Sequence, residues 1–156
     1  LQDYGNITLY ELEDKSFQYF QQQAQKKQVS KILNIFRERF PEIDELEKND
    51  PFRINLRLNI VLIEKLRHII VHNGGFVSDK EKFIALVVKE ANLYRNGIDD
   101  EHNNLIKSYF GTGEYENMIL LLETPPYSQV YSEVFPSLVR KLITYADLIC
   151  EFLEQM

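Results

Sequence analysis

Residues 52–75, FRINLRLNIVLIEKLRHIIVHNGG, decide the fold. Leucine, isoleucine and valine dominate the run, and it stops at Asn73-Gly74-Gly75, where glycine supplies the left-handed backbone that ends a helix. Stepping about 100° per residue from Ile54, the positions Leu56, Leu58, Ile60, Leu62, Ile63, Leu66, Ile69, Ile70 and Val71 spread over an arc of about 220°. A helix on the outside of a monomer needs roughly half that width, so this one is central to a bundle or shared between the core and a second subunit. Arg67 falls inside the arc, between Ile63 and Ile60 in projection. A guanidinium keeps its charge there and calls for a carboxylate partner, a bound anion or a wet cleft. His68 and His72 share the polar edge with Arg57, Glu64 and Lys65, and Arg67 lies about 140° from His72.

Working outward, residues 17–40 carry Val29, Ile32, Leu33, Phe36 and Phe40 at helical spacing up to Pro41, with Phe17, Phe20 and Ala24 on a different side. This predicts either two helices or one that changes neighbours. Residues 42–50, EIDELEKND, read as a short helix and a turn. Downstream, Ser78-x-x-Glu81 fits a capping box before Phe83, Ile84, Val87, Val88, Ala91 and Tyr94, which predicts a helix ending near Asn96-Gly97. Residues 98–128 lose the helical period and read as a small β-hairpin or an ordered loop. Val134, Leu138, Leu142, Tyr145, Ile149 and Phe152 then mark a C-terminal helix, kinked or started at Pro136. The expected architecture is mainly α, a bundle of four to five helices with the small hairpin or long loop between the fourth helix and the last.

The chain has 156 residues, 44% hydrophobic and 27% charged, which suits one domain over residues 1–156 with a continuous core. Its start at Leu1 rather than Met suits a piece of a longer chain. The net charge of −6 excludes a general coater of nucleic acid, so a polyanion would need a local basic patch. Arg53, Arg57, Lys65 and Arg67 on one helix, with Lys26, Lys27, Lys31, Arg37 and Arg39 on another, form that stripe. The lone Cys150 sits in a helical stretch and reads as a small buried hydrophobe in a reducing compartment. No apolar run reaches the ~18 residues of a membrane span and no leader pattern opens the chain, so a cytoplasmic setting without a membrane is expected. Glu64, His68 and His72 stand four apart on one helix face, as metal ligands do, yet His102 is the one other histidine and no ligand cysteine accompanies them. Neither a metal nor a cofactor is expected.

The stretch RLNIVLIEKLRHIIVHNGG resembles the signature of the HEPN superfamily, in which an arginine, usually followed by a polar residue, precedes a histidine near a helix end. Here Arg67, polar His68, three aliphatics, His72 and Asn73 match it with four intervening residues. The resemblance implies a bundle of four or five helices that forms a homodimer with two such stretches facing a common cleft. It further implies a metal-independent endoribonuclease of toxin, phage-defence or RNA-processing type, with an antitoxin or a fused domain as a further partner. Other members have lost catalysis and serve as dimerisation or nucleotide-binding domains. Carried over by position, Arg67 would hold the scissile phosphate and His72 would move protons. His68 and Asn73 would contact RNA or phosphate, with Arg57 and Lys65 as basic neighbours. A toxin branch of the family bears a modified Tyr two residues after the histidine; this chain has Gly74 there, so that regulation does not carry over.

The chemistry stands on its own terms. RNA carries its nucleophile in the 2′-OH, so a protein needs to supply a base, an acid for the leaving 5′-oxygen and a cation for the charged phosphorane. Imidazole, with an unperturbed pKa of about 6.5, exchanges protons near neutrality, and the planar guanidinium fork donates two hydrogen bonds to phosphate while keeping its charge. The competing readings are a salt-bridged Arg67, with Asp44 or Glu45 as partner, and a solvated basic helix end for the histidines.

Overall fold

The computed structural model describes residues 16, 18–19, 21–22, 29–48, 55–93, 100–123 and 132–155. The protein is mainly α-helical. Its described helices are α1 (Val29–Arg39), α2 (Glu42–Lys48), α3 (Leu56–Asn73), α4 (Lys80–Glu90), α5 (Asp100–Lys107) and α6 (Phe135–Glu154). Helix α3 is the hub, packed against α1, α2, α4 and α6, while α5 leans on α4. None of the described helices is long and apolar enough to cross a membrane.

Local chemistry sets most of the boundaries. Pro41 follows α1 and has no N–H with which to continue it. Asn55 caps α3, its side chain accepting the N–H of Leu58 at 2.9 Å. For α4 the cap is Asp79, which accepts from the N–H of Lys82 at 2.9 Å. This corrects the Ser78 capping box: a carboxylate one residue later takes the orphan donors and adds negative charge at the helix start. Helix α4 stops at Glu90, well before Asn96. Asn92 turns left-handed at φ 58° and the N–H of Leu93 returns to the carbonyl of Val88 at 3.1 Å, which closes the helix; Tyr94 and Asn96-Gly97 lie outside the described residues. Helix α6 begins at Phe135, with Pro136 in its first turn where a missing N–H costs nothing.

Between α4 and α6 the expected loop is partly helical. Asp100–Lys107, DEHNNLIK, forms α5, a piece too short for its apolar Leu105 and Ile106 to show a period. Beyond it a single 3₁₀ turn covers Gly113–Tyr115. Phe110 and Ile119 form an antiparallel bridge, as do Phe76 and Met118. Leu122–Glu123 pairs with Ser132–Glu133 in a two-residue antiparallel ladder, Leu122 opposite Glu133 and Glu123 opposite Ser132.

The core gathers Leu33, Leu56, Leu58, Ile60, Val61, Leu62 and Leu66 with Phe83, Ile84, Val87 and Val88, then Ile106, Tyr109, Phe110, Leu138 and Tyr145. Each such side chain contributes about 1.5–3 kcal/mol by leaving water. The broad apolar arc of α3 resolves along the helix rather than around it. Leu56 through Leu62 are buried on every side, whereas from Ile63 onward Leu66 is the one buried residue and Arg67, His68, Ile70, Val71, His72 and Asn73 are exposed. Cys150, expected to be buried, is exposed on α6.

The enclosed first turns of α3 carry a charge. Arg57 is 0% exposed; it donates from Nε to the carbonyl of Ala91 at 2.9 Å and from Nη2 to the side-chain oxygen of Asn34. Burial holds the Arg57 guanidinium below its ordinary pKa, with nearby Arg37 adding to the effect and Glu47 opposing it. Around it, Arg37 donates from Nε to Glu47 at 2.6 Å and pairs with Asp44 at 2.9 Å, while the Tyr145 hydroxyl donates to the other oxygen of Glu47 at 2.6 Å. Glu47 is fully buried, so these donors replace the water that its carboxylate has lost.

Candidate functional site

The exposed half of α3 is held in place from its C-terminal end. Gly74 adopts φ 59°, with nothing within 4 Å of where a Cβ would stand, and the N–H of Gly75 turns back to the carbonyl of Ile69 at 3.1 Å. The chain then pairs sideways: Ile119 donates to the carbonyl of Gly75 at 2.9 Å and Val77 donates to that of Asn117 at 2.9 Å. The last turn, with His72 and Asn73, is therefore fixed by backbone bonds made immediately after it.

On that turn His68 and His72 come together, their ring centroids 4.7 Å apart and tilted by 50°. Their i, i+4 spacing puts both imidazoles on one exposed flank. Arg67 occupies another flank, on the rim of an apolar groove of about 200 Å³ between α3 and α6. Ile63, Leu66 and Ile70 form one wall of the groove and Phe135, Leu138, Val139 and Leu142 the other, with Leu121 closing it. Arg67 is exposed and pairs with no carboxylate among the described residues, Asp44 included, since Asp44 serves Arg37. The guanidinium can thus accept an incoming anion without breaking an existing pair.

Arg57 and Lys65 do not join this surface. Projection placed them on the polar edge with the histidines, but Arg57 lies in the core, about 15 Å along the helix axis from Arg67 at 1.5 Å per residue. Lys65 is 15% exposed and sits 2.8 Å from Glu90 and 3.9 Å from Glu64, so its charge is already answered. Arg37 leaves the expected basic stripe for the same reason. Lys26, Lys27 and Arg53 fall outside the described residues; Lys31 and Arg39 are exposed. Among the described residues no three His, Cys, Asp or Glu side chains are grouped so as to hold a metal ion.

Sequence reasoning missed the α6 side of the groove. Phe135, Val139, Leu142 and Ile143 are exposed, the first and last by more than half. The available signal was the surplus of large apolar residues on α6, which extend beyond the single stripe that one buried face requires.

Compared with known proteins, the chain matches no family model, no curated sequence and no solved structure.

Proposed function

We propose that the protein is a homodimeric, metal-independent endoribonuclease of HEPN type, with Arg67 and His72 in the catalytic cleft. The observation that carries this reading is the exposed Arg67 guanidinium, which pairs with no carboxylate among the described residues, on the rim of an apolar groove at the same helix end as the exposed His68–His72 pair. On one helix Arg67 and His72 diverge by about 140° and about 7.5 Å of rise, so a single copy does not aim both at one phosphate. A second copy seated on the groove by two-fold symmetry supplies the complementary pair.

In that cleft one His72 takes the proton of the 2′-OH as its oxygen attacks phosphorus. The Arg67 side chains hold the non-bridging oxygens while the five-coordinate phosphorane carries extra charge. The bond to the 5′-oxygen then breaks, and the second copy's His72 protonates it. The products are a 2′,3′-cyclic phosphate and a free 5′-OH, so atoms and protons balance without a metal. His68 and Asn73 border the site as hydrogen-bonding neighbours.

The test is cleavage of single-stranded RNA in EDTA, with the ends identified. Expected are 2′,3′-cyclic phosphates, loss of at least ~100-fold in rate in folded, dimeric His72→Ala and Arg67→Ala proteins, and local protection by a single 2′-deoxy position. Cleavage that survives both substitutions defeats the reading. A second reading, a non-catalytic HEPN-like dimerisation or nucleotide-binding domain, is favoured by the acidic charge and by the withdrawal of Arg37, Arg57 and Lys65 from the basic stripe. It predicts intact RNA after long incubation and weaker dimerisation or ligand binding in His72→Ala.

A further inference from the structure

A second cavity, of about 440 Å³, lies between α1 and the C-terminal end of α4 and shares no residue with the groove. Lys31, Asn34 and Glu38 reach it from α1, Lys89 and Asn92 from the end of α4. Arg37 and Glu90 also border it but are already paired, Arg37 with Asp44 and Glu47 and Glu90 with Lys65 at 2.8 Å. That leaves Lys31 and Lys89, both exposed, as cations with no carboxylate among the described residues. Most of the carbonyls at the end of α4 are already answered. The N–H groups of Ala91 and Leu93 close on the carbonyls of Val87 and Val88, and Arg57 covers that of Ala91.

Arg57 stands directly behind this wall. Its Nη2 donates to the side-chain oxygen of Asn34, which orients the amide and leaves both of its N–H groups to offer. Its own Nη1 is buried with no acceptor among the described residues. The wall itself therefore presents unanswered donors, two ammonium groups and the Asn34 amide, with the buried Arg57 guanidinium behind them. Glu38, by contrast, is an acceptor suited to hydroxyl groups. Among the described residues no aromatic or large aliphatic side chain lines the space, so they offer a purine or pyrimidine no apolar face to stack on.

We propose that this cavity binds a sugar phosphate, its phosphate on Lys31, Lys89 and the Asn34 amide and its hydroxyls on Glu38, Asn92 and buried Ser30. The volume is in the range that takes such a molecule. Because none of these residues belongs to the proposed nuclease cleft, the two readings stand or fall separately.

Amide chemical shifts of the isotope-labelled chain test it, with ribose 5-phosphate as probe and ribose, inorganic phosphate and AMP as comparators. Ribose 5-phosphate should shift residues 30–38 and 89–92 with a Kd of about 1 mM or tighter, and each comparator should bind at least about tenfold more weakly. The folded double variant K31A/K89A should lose at least about tenfold in affinity, and His72→Ala should bind as the parent does. The proposal is overturned by silence at both segments, by shifts confined to residues 67–73, by AMP binding the tighter, or by unchanged affinity in the double variant.

Discussion

Arg57 and Arg67 are ten residues apart on one helix, and their surroundings set them opposite tasks. Arg57 is sealed in the core, where it covers the carbonyl of Ala91 at the cap of α4 and holds Asn34 of α1, so three helices depend on one guanidinium. Its replacement by alanine leaves the carbonyl of buried Ala91 without a donor and frees the Asn34 side chain from α3. We expect Arg57→Ala to lower unfolding free energy by about 2–4 kcal/mol in urea titration. Arg67 is exposed and holds no carboxylate among the described residues, so Arg67→Ala should shift stability by less than about 0.5 kcal/mol in the same titration while abolishing the proposed RNA cleavage. Equal losses of stability in the two variants would contradict this division.

At the scale of the element, a helix is read from sequence by projection, and projection discards position along the axis. That is why α3, α4 and α6 were legible from their spacing, with Pro41 and Pro136 as boundaries, while the burial of Arg57 was not. In projection Arg57 shares an edge with His68, yet the four helices packed around Leu56–Leu62 enclose that edge for two turns and then part. The partners that remove Lys65 and Arg57 from the surface, Glu90, Asn34 and the carbonyl of Ala91, lie more than twenty residues away in the chain. No local pattern announces them. Helix α5 was missed because eight residues give barely two turns. Helix ends carry stronger local signals, and Gly74 is the clearest: at φ 59° any side chain is strained even though space is open. Gly74→Ala should cost about 1 kcal/mol and Gly74→Asn less, read as a drop in Tm, because asparagine tolerates the left-handed region. Indifference to Gly74→Ala would mean that the last turn of α3 is not held as described.

Two properties belong to the molecule as a whole. Tyr145 of α6 donates to Glu47 of α2, and burial followed by that carboxylate raises its pKa well above the ordinary tyrosine value. Unfolded tyrosine ionises near pH ~10, so above it the unfolded chain has lost a proton that the folded protein keeps. This contribution to stability is complete below about pH 10 and is lost as the pH rises further. Tyr145→Phe should cost about 1–2 kcal/mol at neutral pH, since Glu47 loses a donor, and the gap between variant and parent should narrow above about pH 10. A gap constant with pH would dissociate Tyr145 from the alkaline loss. The second property is the apolar surface that runs from Ile70 across the groove to Phe135, Val139, Leu142 and Ile143. A stable two-fold interface buries about 800 Å² on each copy around such an apolar centre, with charged groups at its rim, which is the position of Arg67. A carboxylate buried there without a partner costs several kcal/mol, so the exposed substitutions Val139→Glu and Leu142→Glu together should turn a dimer into a folded monomer in analytical ultracentrifugation. If the cleft is shared, the same double variant loses RNA cleavage with Arg67 and His72 intact, and mixing it with His72→Ala protein restores nothing. Full activity in a monomer would mean that one helix end suffices, and the argument from the divergence of Arg67 and His72 would fail.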